Sequence, residues 1–287
     1  MPDRQAALTP ALSLVKAASI RVAARLWLWR TENEAAMRHI LLIGMGPGHP
    51  DQITLQAIEA MRSANVFFIP AKGEEKAELA KTRLAMLERH LGGRPFRAVG
   101  YAMPERNEAI ADYGERVSAW HAAIGGIFSR LFREELGEDG RGAFLVWGDP
   151  SLYDSTIRIL DAVRAAGEVA FTHEVIPGVT SVQALAAAHG IALNTIGNPV
   201  HITTARRLKE GFPDNADSVV VMLDSGTAFA ELGLDDLDIF WGAYLGTEDE
   251  ILVSGTLEDV SSDIQRIRAE ARAKKGWMFD TYLLRRR

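Results

Sequence analysis

The sequence predicts an α/β protein with two domains, a parallel sheet in the first and a mixed sheet in the second. In the first half, short apolar runs alternate with helical patterns, which is typical of parallel strands covered by helices. In the second half, strand-like runs follow one another closely, which favours mixed or antiparallel pairing. The 287 residues are enough for two domains. We place these at residues 38–150 and 151–287.

The first strand and the turn after it mark the expected ligand-binding edge. Residues 40–43 are four consecutive apolar side chains, which predicts a short buried strand. The turn that follows contains Gly44, Gly46, Pro47 and Gly48. Glycines allow unusual backbone angles and let a ligand approach the main chain closely. The spacing fits neither a dinucleotide fingerprint nor a P-loop. A helix follows, with Thr54 as its expected N-cap.

The remaining elements follow from hydrophobic periodicity and turn residues. In the first half we predict strands at residues 66–69, 96–100 and 142–147. We also predict a helical tract at 107–136 that breaks or bends at Gly125 and Gly126. In the second half we predict strands at 168–176, 200–204, 218–223, 239–245, 251–253 and 276–284, and helices at 153–166, 182–189 and 257–275.

Composition narrows the function classes. Hydrophobic residues make up 47% and charged residues 24%, as in soluble globular proteins. The net charge of −6 argues against general nucleic-acid binding. The chain has no cysteine, and its 7 histidines lack ligand spacing, so we expect neither a disulfide nor a metal site. No apolar run reaches the length of a membrane span.

Residues 1–37 differ from the rest and are predicted to be an N-terminal extension. Their apolar stretch is interrupted by Lys16, Arg21 and Arg25, which is unlike a signal peptide. We expect a disordered or loosely docked segment. The alternative is a basic amphipathic helix at a membrane surface. Because the first strand begins directly afterwards, Met37 is a candidate for the true start.

Three predicted strands end in glycine-proline turns. After the first turn, the second is Gly148-Asp149-Pro150 and the third begins at Pro177-Gly178, followed by Thr180 and Ser181. In a parallel sheet these ends lie along one edge, where ligands bind. We therefore expect the three turns to share one cleft. Asp149 could also hold its own turn, and Thr180 could cap a helix.

The three turns in this order resemble those of the tetrapyrrole methylase family, S-adenosylmethionine-dependent enzymes of corrin and sirohaem synthesis. The resemblance runs from Met37 to the C-terminus. Five further sequence stretches support the resemblance: GPGHPDQ (46–52), KGEEK (72–76), WGDPSLYDST (147–156), WGAYLG (241–246) and GWMFDTYLLR (276–285). It implies a cleft between two α/β domains, a homodimer and a cytoplasmic location. It also implies methyl transfer to C-1 of precorrin-5, with loss of the acetyl group as acetate.

The resemblance also implies which residues contact the methyl donor. Carried onto this chain, they are Pro47, Gly148, Asp149, Leu152, Thr180, Ser181, Leu223 and Gly246. The alignment leaves Met222 as an alternative to Leu223. His49 stands where many relatives have aspartate, and Lys72 follows the second strand where they have an acid. An acid/base role is therefore not carried over.

Deacetylation requires a base and an oxyanion donor, because water must attack the acetyl carbonyl. The candidates near strand ends are His49, Asp51, Lys72 and Asp154. Each has a structural alternative: Asp51 and Asp154 could cap helices, His49 could be a turn residue, and Lys72 could form a surface ion pair. Arg206 and Arg207 are candidates for binding the carboxylates of the precorrin substrate, or they belong to a solvated helix start.

Two other functions remain open. The chain could be a methylase of the same superfamily that acts on a different corrin carbon or on ribosomal RNA, although the acidic balance disfavours RNA. It could also be a non-catalytic protein that binds S-adenosylmethionine on the same fold.

Overall fold

A computed structural model describes residues 37–70 and 74–287 of the chain. Apart from Met37, the predicted extension lies outside the described residues, as does Lys72. The strands are β1 (Arg38–Gly44), β2 (Val66–Pro70), β3 (Arg97–Tyr101), β4 (Arg141–Val146), β5 (Phe171–Ile176), β6 (Val200–Thr204), β7 (Ser218–Met222), β8 (Leu237–Ala243), β9 (Ile251–Thr256) and β10 (Asp280–Arg286). The helices are α1 (Leu55–Ser63), α2 (Glu74–Leu91), α3 (Tyr113–Glu135), α4 (Thr156–Ala166), α5 (Ser181–His189), α6 (Ala205–Leu208) and α7 (Leu257–Lys275). A 3₁₀ turn spans Ala228–Glu231.

The first sheet is entirely parallel, in the order β3-β2-β4-β1-β5. Its apolar strands are covered on both faces. In β1, Ile40 and Leu42 pack with α3 and α4, whereas Leu41 and Ile43 pack with α1 and α2. This alternation explains why the strand reads as an unbroken apolar run. The predicted parallel α/β domain is therefore confirmed.

Two local predictions need correction. The first sheet extends to Ile176, past the boundary we placed at residue 150, because β5 pairs with β1. The helical tract begins only after the Asp112 N-cap and is continuous through Gly125. At Gly125 an added Cβ would lie 3.2 Å from Val163 of α4, so this glycine allows close packing of the two helices.

The second sheet is mixed, as predicted, in the order β6-β7-β10-β8-β9. Strands β6 and β7 are parallel, and the other neighbours are antiparallel. Helix α7 covers one face, and α5 covers the other through Val182 and Leu185. Helix α5 is the next element after β5 in the chain. It therefore connects the last strand of the first sheet to the second sheet, on which it packs.

Candidate ligand-binding cleft

The three predicted turns meet in backbone contact, which confirms their convergence. Strand β1 lies between β4 and β5, so their carboxyl ends are neighbours. Gly46 and Gly148 exchange backbone hydrogen bonds of 3.3 and 2.8 Å. A Cβ on Gly178 would lie 2.1 Å from the Gly148 carbonyl oxygen and 2.8 Å from the Gly44 Cα. Only residues without side chains fit this arrangement.

The Asp149 carboxylate ties two of these turns together. One oxygen accepts a 2.8 Å hydrogen bond from the Gly178 N–H, and the other accepts a 2.7 Å bond from the Ser151 N–H. Burial alone would raise the pKa of Asp149, but the hydrogen bonds from Ser151 and Gly178 outweigh it and lower the pKa. The carboxylate therefore holds the turns, which is the alternative role anticipated for it.

A cavity of about 460 Å³ lies between the two sheets, at the edge marked by these turns. This volume falls in the usual range for small-molecule sites. Its lining is mostly apolar and aromatic, with a few hydroxyl and carboxylate groups. From the N-terminal side come Pro47, Trp147, Leu152, Tyr153 and Asp154; from the C-terminal side come Ser181, Met222, Leu223, Asp224, Ser225, Tyr244, Leu245, Trp277, Met278, Phe279, Asp280 and Thr281.

Backbone strain is concentrated at this cavity. Among the described residues, the non-glycine residues with positive φ are Tyr153 (52°), Leu223 (56°) and Tyr244 (50°), and all of them line it. Such conformations cost on the order of 1–3 kcal/mol each and cluster at functional sites. Leu223 is also 61% exposed, so burial within this chain does not offset its strain.

A buried polar network supports the C-terminal wall. Asp280 accepts hydrogen bonds from Trp241 Nε1 (3.0 Å) and Arg268 Nε (2.9 Å). Arg268 also donates to the Asp224 carbonyl oxygen (2.5 Å), and the Tyr282 hydroxyl donates to the Asp224 carboxylate (2.8 Å). Burial raises the pKa of Tyr282, and Asp224 raises it further, so the phenol stays a donor. The network fixes the two wall segments that contain Asp224 and Asp280.

The structure separates the predicted donor-binding residues into two groups. Pro47, Leu152, Ser181 and Leu223 line the cavity, together with the alternative Met222. The other four do not line the cavity and instead support the segments around it: Gly148, Asp149, Thr180 and Gly246. Thr180 caps α5 in a capping box with Gln183. Gly246 lies where a Cβ would be 3.1 Å from Pro47, which lets the two domains approach closely.

Of the predicted catalytic residues that the structure describes, only Asp154 lines the cavity. One of its carboxylate oxygens accepts a 2.7 Å hydrogen bond from the Thr156 N–H. His49 is exposed, and its Nδ1 accepts from the Asp51 N–H at 3.1 Å. Asp51 is exposed and pairs with Arg89 at 2.9 Å rather than capping α1, which Thr54 caps as predicted. Lys72 lies outside the described residues.

The two predicted substrate-binding arginines are exposed at α6. Arg207 forms an ion pair of 2.7 Å with Glu210, one helical turn away. The Arg206 guanidinium lies 4.7 Å from the centre of the Tyr113 ring, which belongs to α3 of the first domain. Neither arginine lines the cavity between the sheets, so their assignment to the substrate stays a prediction.

Sequence reasoning assigned no role to Trp147, Tyr153, Tyr244 or the 277–281 segment. Antiparallel pairing explains the position of Tyr244 and of the 277–281 segment. In the second sheet, Met222 of β7 pairs with Thr281 of β10, and Asp280 pairs with Ala243 of β8. The end of β7, the start of β10 and the end of β8 therefore meet at one edge. The segment stood out only as part of a motif.

Two absences expected from the sequence concern metal ions and membrane spans. Within residues 37–70 and 74–287, no group of three or more metal-binding side chains could hold an ion. The expectation of metal-free chemistry stays a prediction. None of the helices that the structure describes is long and apolar enough to cross a membrane.

Two α/β domains with a cavity at the strand-end turns define a small-molecule-binding protein with a cleft between its sheets. The sequence profile of the family described as Tetrapyrrole (Corrin/Porphyrin) Methylases matches residues 39–261. The chain therefore belongs to the tetrapyrrole methylase family.

The similar proteins include one from Sinorhizobium sp. named precorrin-6A synthase [deacetylating]. It is 53% identical over 253 residues, covering 88% of this chain and 97% of the relative. The crystal structure of a cobalamin synthesis related protein (CobF) from Corynebacterium diphtheriae matches with a TM-score of 0.74 and 38% identity, covering 87% of this chain and 99% of that one. A uroporphyrin-III C-methyl transferase from Thermus thermophilus, complexed with S-adenyl homocysteine, shares the fold at 19% identity and a TM-score of 0.53, with 86% and 96% coverage.

Proposed function

We propose that this chain is an S-adenosylmethionine-dependent C-methyltransferase of cobalamin biosynthesis, a precorrin-6A synthase (deacetylating). It transfers a methyl group to C-1 of precorrin-5 and releases acetate, giving precorrin-6A and S-adenosylhomocysteine. The observation that carries the proposal is the 53% identity, over nearly the whole of both chains, to the relative with that name. The family assignment and the cavity between the sheets support it.

The cavity has the character that a sulfonium donor requires. Its walls are largely apolar and aromatic, which excludes water, while Ser181 and the backbone turns supply polar groups. Methyl transfer to an electron-rich carbon needs in-line placement and no metal. Alignment of the two reactants can contribute on the order of 7–11 kcal/mol in the best cases. We assign donor binding to Pro47, Leu152, Ser181 and Leu223, with the remaining predicted residues holding the turns.

Asp154 is the proposed base for deacetylation. A water molecule that attacks the acetyl carbonyl must lose a proton, and Asp154 is the predicted catalytic residue whose side chain lines the cavity. Asp154→Asn keeps an oxygen for the Thr156 N–H but cannot take a proton. We expect acetate release to fall about 100-fold or more. Asp112→Asn is the matched control, because Asp112 is the N-cap of α3 and does not line the cavity.

Product analysis tests the proposed reaction. The purified protein is incubated with S-adenosylmethionine and precorrin-5, and the products are analysed by mass spectrometry. We expect one methyl gained and one acetyl lost per tetrapyrrole, with equal amounts of acetate and S-adenosylhomocysteine. A methyl gain without acetyl loss would identify a different methylase, and donor binding without turnover would identify a non-catalytic binding protein.

We also propose that the enzyme is a cytoplasmic homodimer that acts on precorrin-type tetrapyrroles and not on nucleic acid. Light scattering coupled to size-exclusion chromatography measures the oligomeric state. A monomer mass at micromolar concentration would rule out the homodimer.

A further inference from the structure

An ion-pair cluster joins the two domains beside the cavity. Lys275 Nζ lies 2.8 Å from Glu78 Oε1 and 2.5 Å from Asp249 Oδ2. Glu78 belongs to α2 of the first domain, whereas Lys275 and Asp249 belong to the second. The other carboxylate oxygen of Glu78 accepts a 2.6 Å hydrogen bond from Trp277 Nε1. We call these four residues the interdomain clasp.

Trp277 connects the clasp to the cavity wall. Its backbone carbonyl accepts a 2.7 Å hydrogen bond from the Tyr244 hydroxyl, and the two rings meet edge to face at 5.0 Å. Phe279 lies 5.1 Å from the Trp277 ring and 5.7 Å from Trp147 of the first domain. All four aromatic residues line the cavity, and together we call them the aromatic wall. The orientation of Trp277 therefore affects the whole wall.

The clasp differs from an ordinary surface ion pair. The Lys275 side chain is only 15% exposed, and its ammonium lies 5.4 Å from the centre of the Tyr244 ring and 5.8 Å from that of Trp277. A mostly buried ammonium needs nearby anions. Hydrogen bonds from Lys275 and then Trp277 lower the pKa of Glu78, so its carboxylate stays ionised at neutral pH. One carboxylate of the first domain thus fixes two side chains of the second.

We propose that Glu78 is a positioning residue that holds Trp277, and through it the aromatic wall, in place to contact the methyl donor. This inference rests on the proposed function, because it assumes that the cavity binds the donor. Nothing in the reaction requires Glu78 to touch the donor itself. Its effect on binding passes through Trp277.

Titration calorimetry with S-adenosylhomocysteine tests the inference. We expect Glu78→Ala to weaken binding about tenfold, as for the loss of a charge-assisted hydrogen bond. Glu78→Gln keeps an oxygen acceptor for Trp277 and should weaken binding only about twofold. Trp277→Phe keeps a ring without the donor N–H. If Glu78 acts through Trp277, the double variant should bind about as well as Trp277→Phe alone.

Glu59→Gln is the matched control, because Glu59 pairs with Arg62 on the surface of α1. It should leave binding unchanged. Tryptophan fluorescence gives a second readout. The emission of Trp277 is the difference between wild type and Trp277→Phe, and in the Glu78→Ala background it is the difference between Glu78→Ala and the double variant. It should shift to longer wavelength in the Glu78→Ala background. If the wild type binds and Glu78→Ala binds equally well, or the double-variant losses add, the inference is wrong. If the wild type does not bind S-adenosylhomocysteine, the proposed function fails.

Discussion

The two sides of the cleft are built with different chemistry. On the N-terminal side, Gly44, Gly148 and Gly178 bring three backbone turns into direct contact, and an added Cβ at Gly178 would overlap its neighbours. On the C-terminal side, the wall is held by charged side chains inside the second domain. Arg268 and Asp280 are 8% and 2% exposed there.

This difference predicts two kinds of sensitivity. A backbone contact depends on the absence of a side chain, so even one added methyl group disrupts it. A buried charge network depends on its partners, so removing one group leaves another charge uncompensated. The following substitutions test the comparison, beginning with the largest expected effect.

Gly178→Ala should be the most damaging substitution. The new Cβ would lie 2.1 Å from a backbone oxygen that cannot rotate away. We expect a loss of about 3 kcal/mol or more in the free energy of unfolding, measured by urea denaturation. Gly126→Ala is the control, because its Cβ in α3 would meet no atom within 4 Å. It should stabilise the protein by about 0.5–1 kcal/mol.

Arg268→Ala should destabilise the protein to a similar degree. It leaves the buried Asp280 carboxylate without its cation, which destabilises proteins by about 3–5 kcal/mol. Arg266→Ala, two residues away on the same helix, removes only exposed ion pairs with Asp263 and Glu270. Its urea midpoint should match the wild type. A shift as large as that of Arg268→Ala would mean that burial does not distinguish these two arginines.

Asp149→Asn should have an intermediate effect. It removes the charge from the hydrogen bonds to Gly178 and Ser151, and we expect a loss of about 1–2 kcal/mol at pH 7. The pKa of Asp149 is lowered below its ordinary value of 3.8 in the folded protein. Its contribution is therefore present above that pH and is lost as the pH falls through the folded pKa. The difference in the free energy of unfolding between wild type and Asp149→Asn should therefore shrink as the pH falls through the folded pKa. Urea denaturation at several pH values measures this difference.

Leu223→Gly should have the smallest effect on stability and a clear effect on binding. Glycine relieves the positive φ of 56°, so the free energy of unfolding should stay level or rise by up to about 1 kcal/mol. Binding of S-adenosylhomocysteine should weaken because an apolar contact is lost. Leu252→Gly removes another exposed leucine, from β9, where φ is ordinary. It should lower stability without changing binding.

Much of the N-terminal side could be read from the sequence. Unbroken apolar runs identified β1 and β4, and the glycine turns after them predicted a shared edge because parallel strands end together. The domain boundary was placed before β5 because the residues of β5 and its neighbours in the chain do not indicate which of the two sheets this strand joins. The break expected at Gly125 and Gly126 does not occur, since α3 is one continuous helix. The packing of α3 on α4 explains why Gly125 has no side chain.

By itself, the sequence determined the α/β class, because hydrophobic periodicity shows strands alternating with helices. It also predicted the convergence of three turns, because parallel strands end along one edge of a sheet. Its short motifs carried the resemblance to the family. The tertiary structure alone decided that Met222, Tyr244 and Trp277 line one cavity. It also decided that Asp154, rather than His49 or Asp51, faces it. The positions of Met222, Tyr244 and Trp277 follow from antiparallel pairing between strands far apart in the chain, and many registers satisfy the same alternation of side chains until the whole sheet is packed.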